Sequence, residues 1–193
     1  QVSERDEQFV QKLCKTYEID CYCQRVDAAG FAAKMKQTLE EAGRNLRYQY
    51  FDALCREKNF DVVATAHHRD DNVETVIMHF LRGASLHGLS GIPYRNQSGV
   101  VRPLLDVSRE AILNYIAENH LPYVTDSSNY SNDFFRNDIR HSLLPFLEKY
   151  NPNFRSTLQN NIRLYQEADV YLQEICEETF QQIADVKRDM ITF

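Results

Sequence analysis

The chain has 193 residues, of which 43% are hydrophobic and 26% are charged, and its formal net charge is −6. This length and composition suit an ordinary globular protein with one core and part of a second. No apolar run approaches the roughly 20 residues that cross a bilayer, and an acidic chain binds polyanions poorly without specificity, so we expect a cytoplasmic protein without a membrane segment.

The first part of the chain alternates between helix and strand. Apolar spacing predicts a helix at 3–17, a strand at 19–26, a long helix at about 31–58, a strand at 60–66 and a helix at 71–82. Gly83 should end the last of these helices as its C′ residue. The alternation is typical of a doubly wound α/β sheet with mainly parallel strands. Because two strands are too few for such a sheet, we expect others before residue 1 and one at 99–105.

Beyond Gly83 the pattern is first irregular and then helical. Residues 83–98 form a loop that is too long to be a simple connector. The remaining segments follow in order: a helix that Ser108 caps and that runs to about Asn119, a polar loop at 125–133, and helix-like stretches at about 137–150 and from 152 to the end.

We place a domain boundary near residues 104–107, where the composition changes. Residues 1–105 then belong to the α/β domain and residues 106–193 to a helical region. The charge is uneven, because segments 82–109 and 136–163 each carry a balance of +3. Local basic patches on an acidic body suit a specific RNA partner, and they suit a solvated surface nearly as well.

The five cysteines do not have the spacing of zinc ligands. Two of them, Cys21 and Cys23, would point to the same side of a strand, which is poor geometry for a disulfide between them. We interpret all five as reduced, buried thiols of a cytosolic protein. They are Cys14, Cys21, Cys23, Cys55 and Cys176.

Histidines and carboxylates gather where the 60–66 strand meets the next helix. They are His67, His68, Asp70, Asp71 and Glu74. In open α/β sheets, ligands bind at the carboxyl ends of the strands, so this junction predicts a functional site. Asp71 with Glu74 also fits a capping box, which leaves open a purely structural role for these two residues. A metal-dependent hydrolase would need further ligands from distant segments, and no second cluster of histidine and aspartate is evident.

Other residues could contribute to the same chemistry. Arg47, beside Tyr48 in the helix before this strand, could offer a positive fork to a phosphate or to a developing negative charge. An ordinary surface arginine is the alternative interpretation. Aromatic residues near 130–135 lie beside Arg136 and Arg140, a mixture that suits stacking of unpaired RNA bases, although core packing explains Phe134 and Phe135 equally well.

Several of these groups together resemble the tRNA(Ile)-lysidine synthetases. The resemblance covers about residues 1–165, and only its Asp-Asp-x-x-Glu-Thr core is shared with the wider PP-loop ATP pyrophosphatase group. The matching residues are Ala42 with Arg47-Tyr48, Thr65-Ala66-His67-His68-x-Asp70-Asp71-x-x-Glu74-Thr75, Leu81-Arg82-Gly83 with Gly88-Leu89 and Gly91, Arg102-Pro103-Leu104-Leu105, Asp126-x-Ser128-Asn129, and Arg136-Asn137-x-x-Arg140.

The resemblance implies a fold and an activity. The fold is the adenine nucleotide alpha hydrolase-like sheet, with residues 1–105 as the C-terminal part of the PP-loop domain and residues 106–193 as a helical linker that contacts tRNA. Such enzymes use ATP and Mg²⁺ to adenylate the C2 oxygen of the wobble cytidine in a tRNA(Ile) with a CAU anticodon, and pyrophosphate is released. The ε-amine of free L-lysine then attacks C2 and forms lysidine. We also expect a homodimer.

The resemblance also assigns the site residues. By position, Arg47, His67 and Asp71 match catalytic residues, and Asp71 could hold Mg²⁺ or orient the lysine amine. The residues that would contact ATP are His68, Asp70, Glu74, Arg82 and Gly83. The residues that would contact RNA are Arg136, Asn137 and Arg140.

One part of the family pattern is missing. The Ser-Gly-Gly-x-Asp-Ser phosphate loop is absent and should lie upstream of Gln1, so we interpret the chain as a fragment that also continues beyond Phe193 and does not hydrolyse ATP by itself. Two alternatives stay open. One is another PP-loop enzyme that modifies tRNA, such as a thiolase, although the Cys-x-x-Cys pairs typical of iron–sulfur thiolases are missing. The other is a tRNA-binding module without catalysis.

Overall fold

A computed structural model describes residues 2–96, 98–124, 134–183, 185–187 and 190–192 of the chain. Its elements are, in chain order, α1 (Val2–Thr16), α2 (Ala28–Met35), α3 (Leu39–Lys58), β1 (Val63–Ala64), α4 (Arg69–Leu81), α5 (Leu86–Leu89), β2 (Val100–Val101), α6 (Arg109–Glu118), α7 (Phe134–Asp138), a wider π-helical turn (Ile139–Leu143), α8 (Leu144–Glu148), α9 (Phe154–Ile183), β3 (Asp185–Lys187) and β4 (Met190–Thr192). These elements form two units that interleave along the sequence. The first holds residues 1–65, 95–101 and 110–137, and the second holds residues 66–94, 102–109 and 138–193.

The first unit contains a short parallel sheet. Val63 pairs with Val100 and Ala64 with Val101, and the Thr65 amide continues the ladder by donating to the Val101 carbonyl over 3.0 Å. This pairing confirms the expected mixed α/β class with parallel strands, and it confirms the strand that was predicted near 99–105. Both strands are shorter than predicted. The placement of a domain boundary at 104–107 stays a prediction.

The predicted long helix at 31–58 is wrong, because two helices occupy this stretch. Lys36 ends α2 in the left-handed region with φ of 54°, and Thr38 then caps α3. The Thr38 hydroxyl accepts from the Glu41 amide while the Glu41 carboxylate accepts from the Thr38 amide. This reciprocal capping box satisfies amides that would otherwise lack a partner, and it starts a new helix inside a continuous apolar pattern.

The predicted strand at 19–26 is also wrong. The segment is extended and exposed, and within the described residues no strand forms a ladder with it. A segment whose sequence favours a strand forms one only when a neighbouring strand supplies hydrogen bonds to it. Because no partner strand covers this segment, Cys21 and Cys23 are exposed thiols rather than buried ones. Cys176 on α9 is exposed as well. All five cysteines are free, as expected.

The second unit is built on α4. Val73 and Ile77 from α4 form a buried cluster with Ile139 of the π-helical turn and Leu144 of α8. Partly buried side chains from α8 and from the start of α9 cover this cluster, which holds these helices on one face of α4. Val73, Val76 and Ile77 of the apolar stripe predicted for 71–82 are buried as expected, whereas Phe80 and Leu81 of the same stripe are exposed. Gly83 has the positive φ expected of a C′ residue, 77°.

The end of the chain differs from the prediction of a continuous helix. α9 stops at Ile183, and β3 and β4 form an antiparallel pair in which Val186 lies opposite Ile191. Apolar residues at helical spacing also stop at Ile183, and β-branched residues beyond it favour strands. No helix in the described part of the chain is long and apolar enough to cross a membrane.

The loop at 83–98 is fastened to helices of the second unit. The Ile92 amide donates to the Asn72 side-chain oxygen over 2.7 Å, and the His79 ring donates to the Gly88 carbonyl over 2.7 Å. Gly91 makes this approach possible, because its φ is +73° and a Cβ there would lie 2.4 Å from the Asn72 oxygen. An L side chain at this position is therefore both strained and blocked.

We expect Gly91→Ala to lower the free energy of unfolding by about 1–3 kcal/mol, because it forces a positive φ on alanine and displaces buried Asn72. Urea unfolding followed by circular dichroism measures the change. Gly43→Ala is the matched control: Gly43 lies inside α3, and a Cβ there meets nothing within 4 Å. That change should be neutral or stabilising by about 0.5–1 kcal/mol. Equal effects of the two substitutions would contradict the assigned role of Gly91.

Candidate functional site

The functional motif forms the first turn of α4, and a reciprocal cap holds it there. The backbone amide of His68 donates to the Asp71 carboxylate over 3.0 Å, and the Asp71 amide approaches His68 Nδ1 at 3.4 Å. The capping box predicted for Asp71 and Glu74 is therefore wrong, because α4 begins two residues earlier than expected. Since Nδ1 accepts, the ring proton belongs on Nε2, which lies 3.4 Å from an Asp71 oxygen.

Asp70 connects this turn to two other segments of the second unit. One carboxylate oxygen accepts from the Arg109 amide over 2.9 Å, and the other lies 3.1 Å from Nη1 of Arg155. Arg155 in turn donates through Nε to Glu148 over 2.7 Å. Asp70 therefore links the start of α4 to the starts of α6 and α9.

Glu74 is the most deeply buried charge of the motif. Its side chain is 1% exposed, and Arg140 binds it with two parallel hydrogen bonds, from Nε to Oε1 over 2.6 Å and from Nη2 to Oε2 over 2.8 Å. The hydrogen bonds to Glu74 raise the pKa of Arg140 above its usual value. A bidentate pair of this kind is strong and geometrically specific, so it fixes the π-helical turn against α4.

Asp71 is placed between this pair and solvent. Its carboxylate is 18% exposed and lies 3.7 Å from Nη2 of Arg140. Four carboxylates of this corner, from Asp70, Asp71, Glu74 and Glu148, are set against two guanidinium groups, those of Arg140 and Arg155. A partly exposed carboxylate such as that of Asp71 attracts a cation or an amine rather than a bare phosphate.

Asp71 is the candidate ligand for Mg²⁺ at this corner. Within the described residues, no group of three or more histidine, cysteine or acidic side chains has the arrangement of a metal cage. Mg²⁺ is usually bound by one or two carboxylates together with substrate phosphates and water, and Asp71 has the chemistry for that kind of ligand. Glu74 does not, because Arg140 uses both of its oxygens.

Two of the residues predicted to contact ATP lie far from Asp71. Arg82 and Gly83 follow the other end of α4, which puts them about 17 Å from Asp71 along the helix axis. His67 is half-buried directly before the N-cap, and His68 and Asp70 are engaged as described above. The histidines and acids of the motif are therefore concentrated at residues 67–74.

Other predicted residues belong to different parts of the chain. Arg47 is exposed on α3 in the first unit, and half-buried Arg136 and Asn137 lie on α7 in that unit. Arg140 lies in the second unit with the α4 cluster. The Asp126-x-Ser128-Asn129 element lies outside the described residues.

Three residues that matter to this site were given no role from the sequence, although Arg102 belongs to the family motif. Asn72 is fully buried and accepts from the Ile92 amide, which couples α4 to the 83–98 loop. Arg102 is buried and donates to the Pro93 carbonyl over 2.6 Å, and Arg155 holds Asp70. Asn72 lies at a position of the motif for which the family pattern specifies no residue. The sequence signal that could have identified it is a polar residue on the apolar face of a helix.

Comparison with known proteins gives the following matches. The sequence profile of the PP-loop domain family matches residues 1–147. The tRNA(Ile)-lysidine synthase of Porphyromonas gingivalis W83 is 38% identical over 156 residues, which is 81% of this chain and 34% of that protein. The enzymes named tRNA(Ile)-lysidine synthase from Petrotoga mobilis and Bacillus subtilis are 35% and 33% identical over 98% and 94% of this chain, and over 59% and 39% of their own lengths.

A solved structure shares the fold at low sequence identity. The U34-tRNA thiolase NcsA from Methanococcus maripaludis matches with a TM-score of 0.61 and 17% identity, over 84% of this chain and 56% of that protein. This match confirms the expected fold. The chain spans between a third and three fifths of the length of the curated relatives named above.

We expect Arg140→Met to lower the free energy of unfolding by about 3–5 kcal/mol, because it leaves the carboxylate of Glu74 buried without a counter-charge. The double variant Glu74→Leu/Arg140→Met should recover most of that loss, and chemical denaturation of the two variants measures both effects. Arg25→Met is the control, since Arg25 pairs with Glu7 at the surface with 76% of its side chain exposed, and its loss should cost less than about 1 kcal/mol. A loss at Arg140 as small as that at Arg25 would refute the role of the buried pair.

Proposed function

The chain belongs to the PP-loop domain family, and from this premise we propose that the full-length protein is a tRNA(Ile)-lysidine synthetase. One observation carries the proposal: relatives with that name are 33–38% identical over 81–98% of this chain. The matched residues include 67–74, where the histidines and acids of the motif are concentrated. The family supplies ATP binding, and the use of ATP to activate a tRNA base is the further step that we propose.

The proposed reaction has two steps. In the first, the C2 oxygen of the wobble cytidine attacks the α-phosphorus of ATP, the bond to the β-phosphate breaks, and pyrophosphate leaves. In the second, the ε-amine of L-lysine attacks C2, AMP leaves with the oxygen, and one proton is lost from the amine. The substrate would be a tRNA(Ile) with a CAU anticodon.

The acid-rich corner supports a role for Asp71 in the second step. An amine attacks only when it is neutral, so a nearby base must take its proton. Asp71 keeps part of its carboxylate exposed, and that negative charge attracts the ammonium form of lysine on arrival. We propose that Asp71 holds the amine and that His67, directly before the helix, assists the proton transfer.

Roles toward ATP are proposed for the remaining predicted site residues. Asp71 would also hold Mg²⁺, which when bound neutralises phosphate charge. Arg47 would stabilise charge on the phosphate, and His68 with Asp70 would fix the turn that faces the nucleotide. Glu74 would act through Arg140. Arg82 and Gly83 would contact the nucleotide or the cytidine beside the 83–98 loop.

Two rival functions have weaker support than the proposed one. A tRNA thiolase is supported only by a structural match at 17% identity, which indicates the fold and not the chemistry. A tRNA-binding module without catalysis would need no intact acid corner, whereas this chain keeps Asp71 in a defined hydrogen-bonded position. A homodimer located in the cytoplasm stays a prediction.

The direct test uses the full-length protein with ATP, radiolabelled L-lysine and a tRNA(Ile) transcript that carries the CAU anticodon. We expect label to enter the transcript, and a transcript with U in place of the wobble C to stay unlabelled. Labelling of neither transcript, together with transfer of sulfur to tRNA, would support the thiolase instead. Binding of the transcript without any modification would support the binding module.

In the full-length protein, we expect Asp71→Asn to lower the rate of lysine incorporation at least about 100-fold, because the amide cannot accept a proton while it still caps α4. His67→Ala should have a similar effect. Glu110→Gln removes an exposed carboxylate from the first turn of α6 and should leave the rate unchanged. Wild-type rates in both site variants, measured with thermal unfolding as a check of the fold, would remove these residues from the site.

We expect Arg136→Ala in the same protein to weaken tRNA binding and to reduce the slope of log K against log salt by about one unit, because one phosphate contact is lost. Filter binding at several salt concentrations measures this slope. Arg140 is not used as the probe, because its guanidinium is committed to Glu74. An unchanged slope would give Arg136 a structural role.

A further inference from the structure

We propose that Phe146 and Tyr150, with Lys149 between them, form a stacking platform for an unpaired RNA base. The proposal rests on the proposed function, since it takes the substrate to be a tRNA. None of these three residues belongs to the motifs that indicated the family. The expected ligand is a nucleobase with its phosphate, in a loop where the base is not paired.

The two rings are presented to solvent as a pair. Tyr150 is 78% exposed and Phe146 is 49% exposed, although large aromatic side chains are usually buried. Their ring centroids lie 5.3 Å apart at an interplanar angle of 64°. An exposed π face beside a second ring is the surface on which proteins stack unpaired bases, and such stacking tolerates any base.

The ammonium group of Lys149 lies beside the rings. The ammonium nitrogen of Lys149 lies 6.0 Å from the centroid of Phe146. The neighbouring charges of this region are already paired, because Arg155 binds Glu148 and Asp70 while Arg140 binds Glu74. The positive charge next to the rings therefore comes from Lys149, which can meet a phosphate while the rings meet its base.

The platform is rigid enough to bind without large ordering of the protein. Leu144, on the opposite side of α8, is fully buried in the core beneath α4. The amides of Tyr150 and Asn151 both donate to the Leu147 carbonyl over 3.1 Å. The Asn151 side chain also accepts from the Asn153 amide and donates to Thr157, which fixes the connection to α9. The aromatic rings thus lie at a firm junction of two helices.

An exposed tyrosine elsewhere in the second unit has different surroundings. Tyr171 on α9 is 63% exposed, but Glu167 and Glu174 lie one turn away on either side of it. An acidic setting repels a phosphate backbone, whereas the setting of Tyr150 contains a lysine. Tyr171 is therefore a matched control on the same unit.

The test measures binding of the full-length protein to the tRNA(Ile) transcript and to a fully paired RNA duplex by fluorescence anisotropy at one salt concentration. We expect Phe146→Leu/Tyr150→Leu to weaken transcript binding about 5- to 100-fold, because leucine keeps apolar volume but has no π face. Binding of the duplex should stay within about twofold. Tyr150→Phe, which keeps the ring, and Tyr171→Leu should both bind the transcript like the wild type.

Three results would overturn the proposal. The first is unchanged transcript binding by the double variant. The second is equal weakening for transcript and duplex. The third is a fall in the midpoint of thermal unfolding without any change in RNA binding, which would indicate that the rings pack against another protein segment. Lysine incorporation by the wild type is scored separately, so the platform and the proposed ligase activity can fail independently.

Discussion

The buried ion pair of Glu74 and Arg140 is the constraint on which the second unit depends. A carboxylate with 1% of its surface exposed is unfavourable unless a counter-charge and hydrogen bonds replace its hydration. Arg140 supplies both with two parallel bonds, and so the π-helical turn is held against α4. The buried cluster of Val73, Ile77, Ile139 and Leu144 joins the same elements, α4, the π-helical turn and α8. Charge pairing and apolar packing therefore fix one arrangement together.

The carboxylate that we propose to meet a ligand is that of Asp71. Glu74 is occupied by Arg140, and Asp70 is occupied by Arg155 and the Arg109 amide. Asp71 uses one oxygen for the His68 amide and stays partly exposed at the edge of an acid-rich corner. Asp71 also caps α4, so it combines a structural role with the proposed contact to an amine or Mg²⁺.

Some of the fold could be predicted from local signals, and some could not. Helices α1, α4 and α6 were predicted within a few residues, because their apolar spacing and terminal residues act within one or two turns. The break at Lys36 and the strand that failed at 19–26 were missed for different reasons. The first depends on a capping box that competes with an unbroken apolar pattern, and the second depends on whether a partner strand is present.

The sequence by itself determined that a cluster of histidines and acids begins a helix after a strand, and that this cluster carries the family motif, because these features involve residues close along the chain. It did not determine which acid pairs with which arginine. Arg140 is 66 positions from Glu74, and Arg155 is 85 positions from Asp70. Such pairs are selected by the packing of α4 against the π-helical turn and α9, and residue spacing carries no information about distance between separate elements. Only the tertiary structure could therefore show which arginine holds each acid of the motif.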